Sequence, residues 1–331
     1  MANAEQVKAL IRSHAEGDDA RFYSVALQVA AQAARSGHGR LAQDLRDAVD
    51  QAKAKANSPD NVLSRRVTPL AQPRGELAGL MSVSYPKLRL SDLALDDQLR
   101  HRLERVVREQ RQRKRIRMHG YSPMRKVLLV GPPGTGKSMT ASAFAGELGI
   151  PLFTVQLDGL VTRFLGETAA KLRLVFDALQ STHGVYLFDE FDSLGSERGS
   201  GNDVGEIRRV LNSFLQFLEI DDSDSLVVAA TNHVRSLDQA LFRRFDAVIE
   251  YTSPSPAVAL QVMRNRLGTM KCDKVDWAAA VSESEGLSHS EIAQACDQAA
   301  KDAILAHTTI IQADALIDAL RERRRARSKP S

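Results

Sequence analysis

The run Gly131-Pro132-Pro133-Gly134-Thr135-Gly136-Lys137-Ser138 places three glycines, a lysine and two hydroxyls within eight residues. Glycines let successive backbone N–H groups curl around one anion, and the amino terminus of a following helix adds partial positive charge. At this spacing Lys137 can reach the β- and γ-phosphates of a nucleotide, while the Ser138 hydroxyl can ligate Mg²⁺. The candidate nucleotide-binding residues therefore run from Gly131 to Met139, and the ligands they suit are ATP and Mg²⁺.

Two further groups belong to the same chemistry. Val185-Tyr186-Leu187-Phe188-Asp189-Glu190 is an apolar run that ends in two carboxylates. Parallel sheets bind ligands at the carboxyl ends of their strands, so such a strand can deliver both acids to the phosphate loop. Asp189 suits Mg²⁺ through a water, with Ser138 as the other metal-side residue. Glu190 suits orientation and deprotonation of an attacking water. Val227-Val228-Ala229-Ala230-Thr231-Asn232 repeats the pattern. There the neutral amide of Asn232 can hold a lytic water against the terminal phosphate.

Short apolar runs must position these residues. They are Val127–Val130, Leu152–Leu157, Val185–Phe188, Leu226–Ala230 and Ala247–Tyr251. Helical stripes alternate with them: Ala141, Phe144, Ala145 and Leu148 follow the loop, and Ile207, Leu211, Phe214 and Leu218 come later. Strands alternating with helices predict an α/β fold, a parallel sheet covered by helices on both faces. After Ser253-Pro254-Ser255-Pro256 the pattern becomes helical throughout. Ser288 to Glu291 reads as a capping box that opens a helix with Ile292, Ala295 and Ala299 inward.

At the other end, residues 4–56 are alanine-rich with helical periodicity, and Gly37-His38-Gly39 divides them into an αα-hairpin. Residues 57–80 carry three prolines and little periodicity, which suits a linker. The expected organisation is a helical hairpin for partner docking at 1–56, a linker at 57–80, a phosphate-loop domain at 81–253, and a helical lid with a basic tail at 254–331.

Composition bounds the class. The chain has 331 residues, 43% hydrophobic and 26% charged, which is ordinary for a globular protein. Its net charge of +4 arises mostly from two runs, Arg100–Arg117 and Arg321–Lys329. Such runs can bind nucleic acid or an acidic partner, and are more often a solvated helix face. The two cysteines, Cys272 and Cys296, have no metal-ligand spacing and suit a reducing compartment. No apolar run approaches a membrane span, and the first ten residues lack a signal peptide's apolar region. A cytoplasmic protein with no membrane span is expected.

The order GPPGTGKS, RFLGET, LFDEFDSL, AATN, LDQALFRRFD and GLSHSEI resembles the AAA+ ATPases over roughly residues 81–326. Within them it is most similar to the clade that includes katanin, spastin, protein-unfolding ATPases and the ATPase parts of membrane proteases. The resemblance implies a homo-oligomeric ring, usually a hexamer, with ATP between subunits. It also implies that Arg243 and Arg244 are arginine fingers that stabilise charge on a neighbour's nucleotide. The family commonly separates two arginines by a short insert, whereas here they are adjacent, so spacing does not select between them. A local ion pair to Asp238 or Asp246 is the alternative use. His289 and His233 stand where the family usually has glycine and often has arginine, and neither is assigned a chemical role.

The resemblance also identifies Phe164-Leu165-Gly166 as the central pore loop, with Phe164 projecting into the axial channel to grip polypeptide. By burial tendency alone an aromatic belongs in a core. The expected function is thus an ATP-hydrolysing remodeller that threads or disassembles a protein substrate, with service to a separate protease or other effector through the amino-terminal region as one form of it. A nucleic-acid-directed ATPase of the helicase-loader or transposition-helper type is the alternative, using the basic run 100–117. No HExxH pattern occurs, so a fused metalloprotease is not expected.

Overall fold

The computed structural model describes residues 73, 75–160, 165–191, 203–232, 242–273 and 275–328, together with positions 25, 26, 29, 43 and 47. The chain divides into two compact units, residues 1–69 and 70–331. In the first unit the five described residues are helical. Gln43 Nε2 donates to Asp47 Oδ1 at 3.3 Å, one turn away. The rest of the expected hairpin, the linker to residue 72, and Phe164, His233 and Asp238 lie outside the described residues.

The second unit is built on a six-stranded sheet: β1 (Met81–Ser84), β2 (Lys126–Val130), β3 (Leu152–Val155), β4 (Val185–Phe188), β5 (Leu226–Thr231) and β6 (Ala247–Glu250). Its order is β1-β3-β4-β5-β2-β6. Five strands run parallel, as expected, and β1 adds an antiparallel edge against β3. Four residues, alternately turned toward and away from the core, are too few to announce a strand from sequence. The run expected as strand to Leu157 ends at Val155, because Leu157–Leu160 form a short helix.

Buried parallel strands need apolar side chains on both faces, and the pleat of β2 divides them. Leu128 and Val130 enter one core with Val227 and Ala229 of β5. Val127 and Leu129 enter the other with Val228 and Ala230. The first core is rich in aromatics. Phe214 packs edge-on against Phe188 with ring centroids 5.0 Å apart, and against Phe176 at 5.6 Å.

The helices of this unit, among the described residues, are α1 (Asp97–Arg111), α2 (Arg113–Met118), α3 (Lys137–Leu148), α4 (Leu157–Leu160), α5 (Leu165–Ser181), α6 (Asp203–Ile220), α7 (Pro256–Arg266), α8 (Trp277–Glu283), α9 (His289–Leu305) and α10 (Ala313–Ser328). Leu165 and Gly166, two of the three expected pore-loop residues, begin α5. From α7 onward the helices enclose their own apolar cluster, with Met263, Leu267, Ile292, Ala295, Cys296, Ala299, Ile311 and Leu320 at its centre. The expected capping box closes α9: Glu291 N–H donates to Ser288 Oγ, and Ser288 N–H donates to the Glu291 carboxylate at 2.6 Å. No helix among the described residues is long and apolar enough to cross a membrane.

The basic run 100–117 is more than a solvated face. The apolar stripe of α1, which carries most of it, is buried at Leu99, Leu103, Val106 and Val107, and several arginines are tied to the rest of the unit. Arg100 donates to the carbonyls of Leu90 and Leu93, both at 3.0 Å. Arg102 reaches the Val248 carbonyl on edge strand β6, Arg111 pairs with Glu147 at 2.7 Å, and Arg113 and Arg117 both pair with Asp224. In the carboxyl-terminal run, Arg321 and Arg324 pair with Glu283.

Candidate functional site

The glycine-rich loop leaves the carboxyl end of β2 and enters α3, whose amino-terminal cap, Gly136, has φ 98°. Gly131 has φ 145°, and a Cβ there would lie 2.3 Å from the Tyr251 carbonyl oxygen. Gly134 has φ 74°, and its Cβ would lie 2.8 Å from Ser288 Oγ of the carboxyl-terminal helical group. Both positions therefore exclude a side chain on two counts, conformation and space. Helix α9 is bonded directly to the loop, since Ser290 N–H donates to the Gly134 carbonyl at 2.9 Å.

Within the loop, Thr135 and Lys137 are buried while Pro132, Pro133, Gly134, Ser138 and Met139 are exposed. Thr135 Oγ1 donates to the Pro132 carbonyl at 2.8 Å and so closes the turn. Lys137 Nζ donates to the carbonyls of Gly131 and Pro132 at 2.8 Å, and to Asn232 Oδ1 at 2.9 Å. The ammonium is thus turned back into the concave side of its own loop. Asn232 comes to it from the end of β5, where Thr231 pairs with Val130.

The acidic pair is also in place. Ser138 Oγ donates to Asp189 Oδ2 at 2.5 Å. Glu190 is exposed and has φ 50°, in the left-handed region where a non-glycine residue is strained by roughly 1 kcal/mol. Its backbone N–H donates to Asp189 Oδ1 at 2.9 Å. Lys137, Ser138, Asp189, Glu190 and Asn232 therefore gather at one end of the sheet.

Arg243 and Arg244 are not part of that gathering. They precede β6, which runs parallel to β2. Asp246 fixes the level at which β6 begins: its carboxylate accepts from the N–H groups of Arg125 and Lys126 at 2.8 and 2.9 Å. Lys126 is the first residue of β2 and the loop follows its last, Val130. Four strand steps span about 13 Å, beyond the reach of an arginine side chain. The two arginines differ in setting. Arg244 is half-buried and pairs with Glu219 of α6 at 3.2 Å, whereas Arg243 is exposed. Glu219 is a partner of Arg244 outside the alternative ion pair to Asp238 or Asp246, and Asp238 lies outside the described residues. Nothing in the sequence signals this partner, because α6 ends 23 residues earlier than Arg243 (243 − 220).

Sequence reasoning gave no role to His289, which sits in the first turn of α9 beside the loop. Its Nδ1 is buried without a hydrogen-bond partner among the described residues. Burial pushes its imidazole below the ordinary histidine pKa, against the opposing charge of Asp96. Cys296 lies in the core of the helical group, where burial pushes its thiol up to about 12, so it stays protonated and inert.

Comparison with known proteins agrees with this geometry. Residues 127–253 match the model of the ATPase family associated with various cellular activities (AAA). An uncharacterized AAA family ATPase of Sinorhizobium fredii is 33% identical over 99% of this chain and 97% of its own length. The proteasome-activating nucleotidase of Aeropyrum pernix is 34% identical over 74% of this chain. The ATP-dependent zinc metalloprotease FtsH 3 of Sphaerobacter thermophilus is 32% identical over 69% of it. The matched regions make up 62% and 48% of those two relatives. With an end-to-end relative in the family and its phosphate loop, strand-end acids and strand-end asparagine assembled at one end of a parallel sheet, this chain belongs to the AAA family of ATPases.

Proposed function

We propose that the chain is one subunit of a ring, a hexamer of identical copies, which binds ATP with Mg²⁺ between neighbours and uses its hydrolysis to thread or disassemble a protein substrate. The observation that carries this reading is the polarity of the sheet. The nucleotide-binding residues lie past the carboxyl ends of the strands and the arginines lie before the amino end of β6, so the arginines serve a second copy.

Within one pocket, residues Gly131 to Met139 hold the phosphates, and Lys137 turns from its carbonyl partners to their charge. Ser138 and Asp189 supply hard oxygen donors on the metal side, few enough to leave Mg²⁺ the waters and phosphate oxygens it prefers. When bound, Mg²⁺ neutralises charge on the phosphate oxygens. Glu190 takes the proton of the attacking water, and Asn232 holds that water in line. Arg243, exposed, reaches the neighbour's terminal phosphate, and Arg244, held by Glu219, sets the end of β6 beside it.

The ring has a direct test. An Arg243→Ala/Arg244→Ala protein and a Lys137→Ala protein should each lack ATPase activity, and mixing them should restore part of it. Some interfaces then join an intact pocket to intact arginines. A mixture that stays silent, under conditions where subunits exchange, would show that the arginines serve their own pocket or only the fold.

Protein as the substrate rests on the pore-loop resemblance and on relatives whose names include a metalloprotease and a proteasome-activating nucleotidase. Delivery to a separate protease or other effector is the finer form of the same reading. The nucleic-acid alternative loses support, since arginines 100, 102, 111, 113 and 117 hold the unit together. Phe164→Ala separates grip from packing. Melting temperature and basal ATP hydrolysis should stay near wild type while unfolding of a tagged protein substrate falls to background. A buried phenylalanine would instead cost ~3–5 kcal/mol on truncation and lower the melting temperature visibly.

A further inference from the structure

The glycine-rich loop begins after Val130, the last residue of β2, and ends at Gly136, the cap of α3. Tyr251, the residue after β6, is tied to both ends. At the first, its N–H donates to the Val130 carbonyl at 2.7 Å. A Cβ on Gly131 would lie 2.3 Å from the Tyr251 carbonyl oxygen and 2.8 Å from the Tyr251 Cβ. At the second, the Tyr251 hydroxyl lies 2.6 Å from Thr140 Oγ1, one turn into α3. Thr140 Oγ1 in turn donates to the Gly136 carbonyl at 3.1 Å, beside the helical bond from Thr140 N–H at 3.0 Å. A hydroxyl has one proton to give. Since that of Thr140 goes to Gly136, the proton between the two hydroxyls comes from Tyr251, and the bonds run from Tyr251 to Thr140 to Gly136. Both side chains are buried, and burial pushes the Tyr251 phenol up, so it keeps its proton.

The two ends are held by different means. Packing walls Gly131, whereas a Cβ on Gly136 would meet no atom beyond its chain neighbours within 4 Å. Gly136 is therefore placed by hydrogen bonds, in a left-handed conformation that glycine enters and leaves freely. We propose that Tyr251 is a positioning residue for the nucleotide: through Thr140 it fixes Gly136, and with it the N–H groups of Gly136, Lys137 and Ser138 that open α3. This rests on the reading of residues 131–139 as the nucleotide loop, in which those N–H groups face phosphate oxygens. A loop aligned for only part of the time binds its ligand more weakly in proportion, so the bond from Tyr251 is read out as ATP affinity.

The experiment is equilibrium binding of ATP with Mg²⁺, beside melting curves, for wild type, Tyr251→Phe, Thr140→Val, the Thr140→Val/Tyr251→Phe double variant, Thr140→Ser and Lys137→Ala. Tyr251→Phe keeps the buried ring and removes only the hydroxyl. It should bind ATP about three- to tenfold more weakly, the scale of one neutral hydrogen bond. The double variant should bind no more weakly than Thr140→Val alone, because the two hydroxyls act in series. Thr140→Ser keeps the relaying hydroxyl and should bind within about twofold of wild type. Hydroxyls that only brace the fold would lower the melting temperature and leave ATP affinity unchanged. Wild-type affinity in folded Tyr251→Phe, or losses that multiply in the double variant, overturns the role of Tyr251. Equal affinities of Thr140→Val and Thr140→Ser overturn it as well, whether or not Tyr251→Phe folds. In each of these cases a weakened Lys137→Ala leaves the loop reading intact, whereas wild-type affinity in Lys137→Ala overturns both.

Discussion

Replacing Lys137 by alanine should weaken ATP binding by about 10²–10⁴-fold and remove hydrolysis with it. The proposed role gives the ammonium two phosphate groups to contact, and a hydrogen bond from a charged donor contributes about 1.5–3 kcal/mol. Two such contacts convert to that range at about 1.4 kcal/mol per decade. The same substitution acts on the empty protein. The Nζ bonds to the oxygens of Gly131, Pro132 and Asn232 would be lost, with Pro132 keeping its bond from Thr135 Oγ1. Water entering the alanine space can replace part of this, so a modest drop in melting temperature should accompany the loss of binding. Titration with a fluorescent ATP analogue, beside melting curves with and without ATP, measures both effects. Wild type should melt later when ATP is added, and Lys137→Ala should not. ATP affinity within about threefold of wild type would remove Lys137 from the phosphate site, since that is under 1 kcal/mol.

The elements that carry this site were legible because each announces itself locally. The glycine spacing of the loop, the apolar runs that end in Asp189-Glu190 and Asn232, and the stripe of α3 follow from backbone conformation and periodicity. The buried residues of that stripe, Ala141, Phe144 and Ala145, are where the pattern puts them. The capping box at Ser288 and Glu291 is equally local, and its bonds are present. What escaped was non-local. The charges of Arg100, Arg111, Arg113 and Arg117 look solvated in sequence, because Leu90, Glu147 and Asp224 approach them only after folding. Glu219 is an unremarked acid at the end of a helix until α6 is brought beside the start of β6. The antiparallel β1 has a four-residue pattern, shorter than periodicity can distinguish from a loop. His289 was noticed only as a departure from its relatives; its isolation beside the loop depends on how α9 sits on Gly134.

Glu190 should show stability and activity moving in opposite directions. Its φ of 50° is a conformation that glycine adopts freely and that other residues adopt at a cost of roughly 1 kcal/mol. The chain nevertheless has a glutamate there, exposed at the end of β4 with its N–H bonded to Asp189. Under the proposed role, the strained turn aims the carboxylate at the attacking water. Glu190→Gln preserves size and backbone while removing the base, so ATP should still bind. Turnover should fall by at least ~10²-fold, the scale of general-base chemistry. Glu190→Gly removes the base and the strain together. Turnover should fall as far, yet the melting temperature should hold or rise, because the gain from relief opposes the extra chain entropy that glycine loses on folding. Steady-state phosphate release and thermal melting of the two variants decide the matter. Near-wild-type turnover in Glu190→Gln would take Glu190 out of the chemical step. A clear loss of stability in Glu190→Gly would mean that the side chain braces the fold at this turn, and that the left-handed backbone is a by-product of packing.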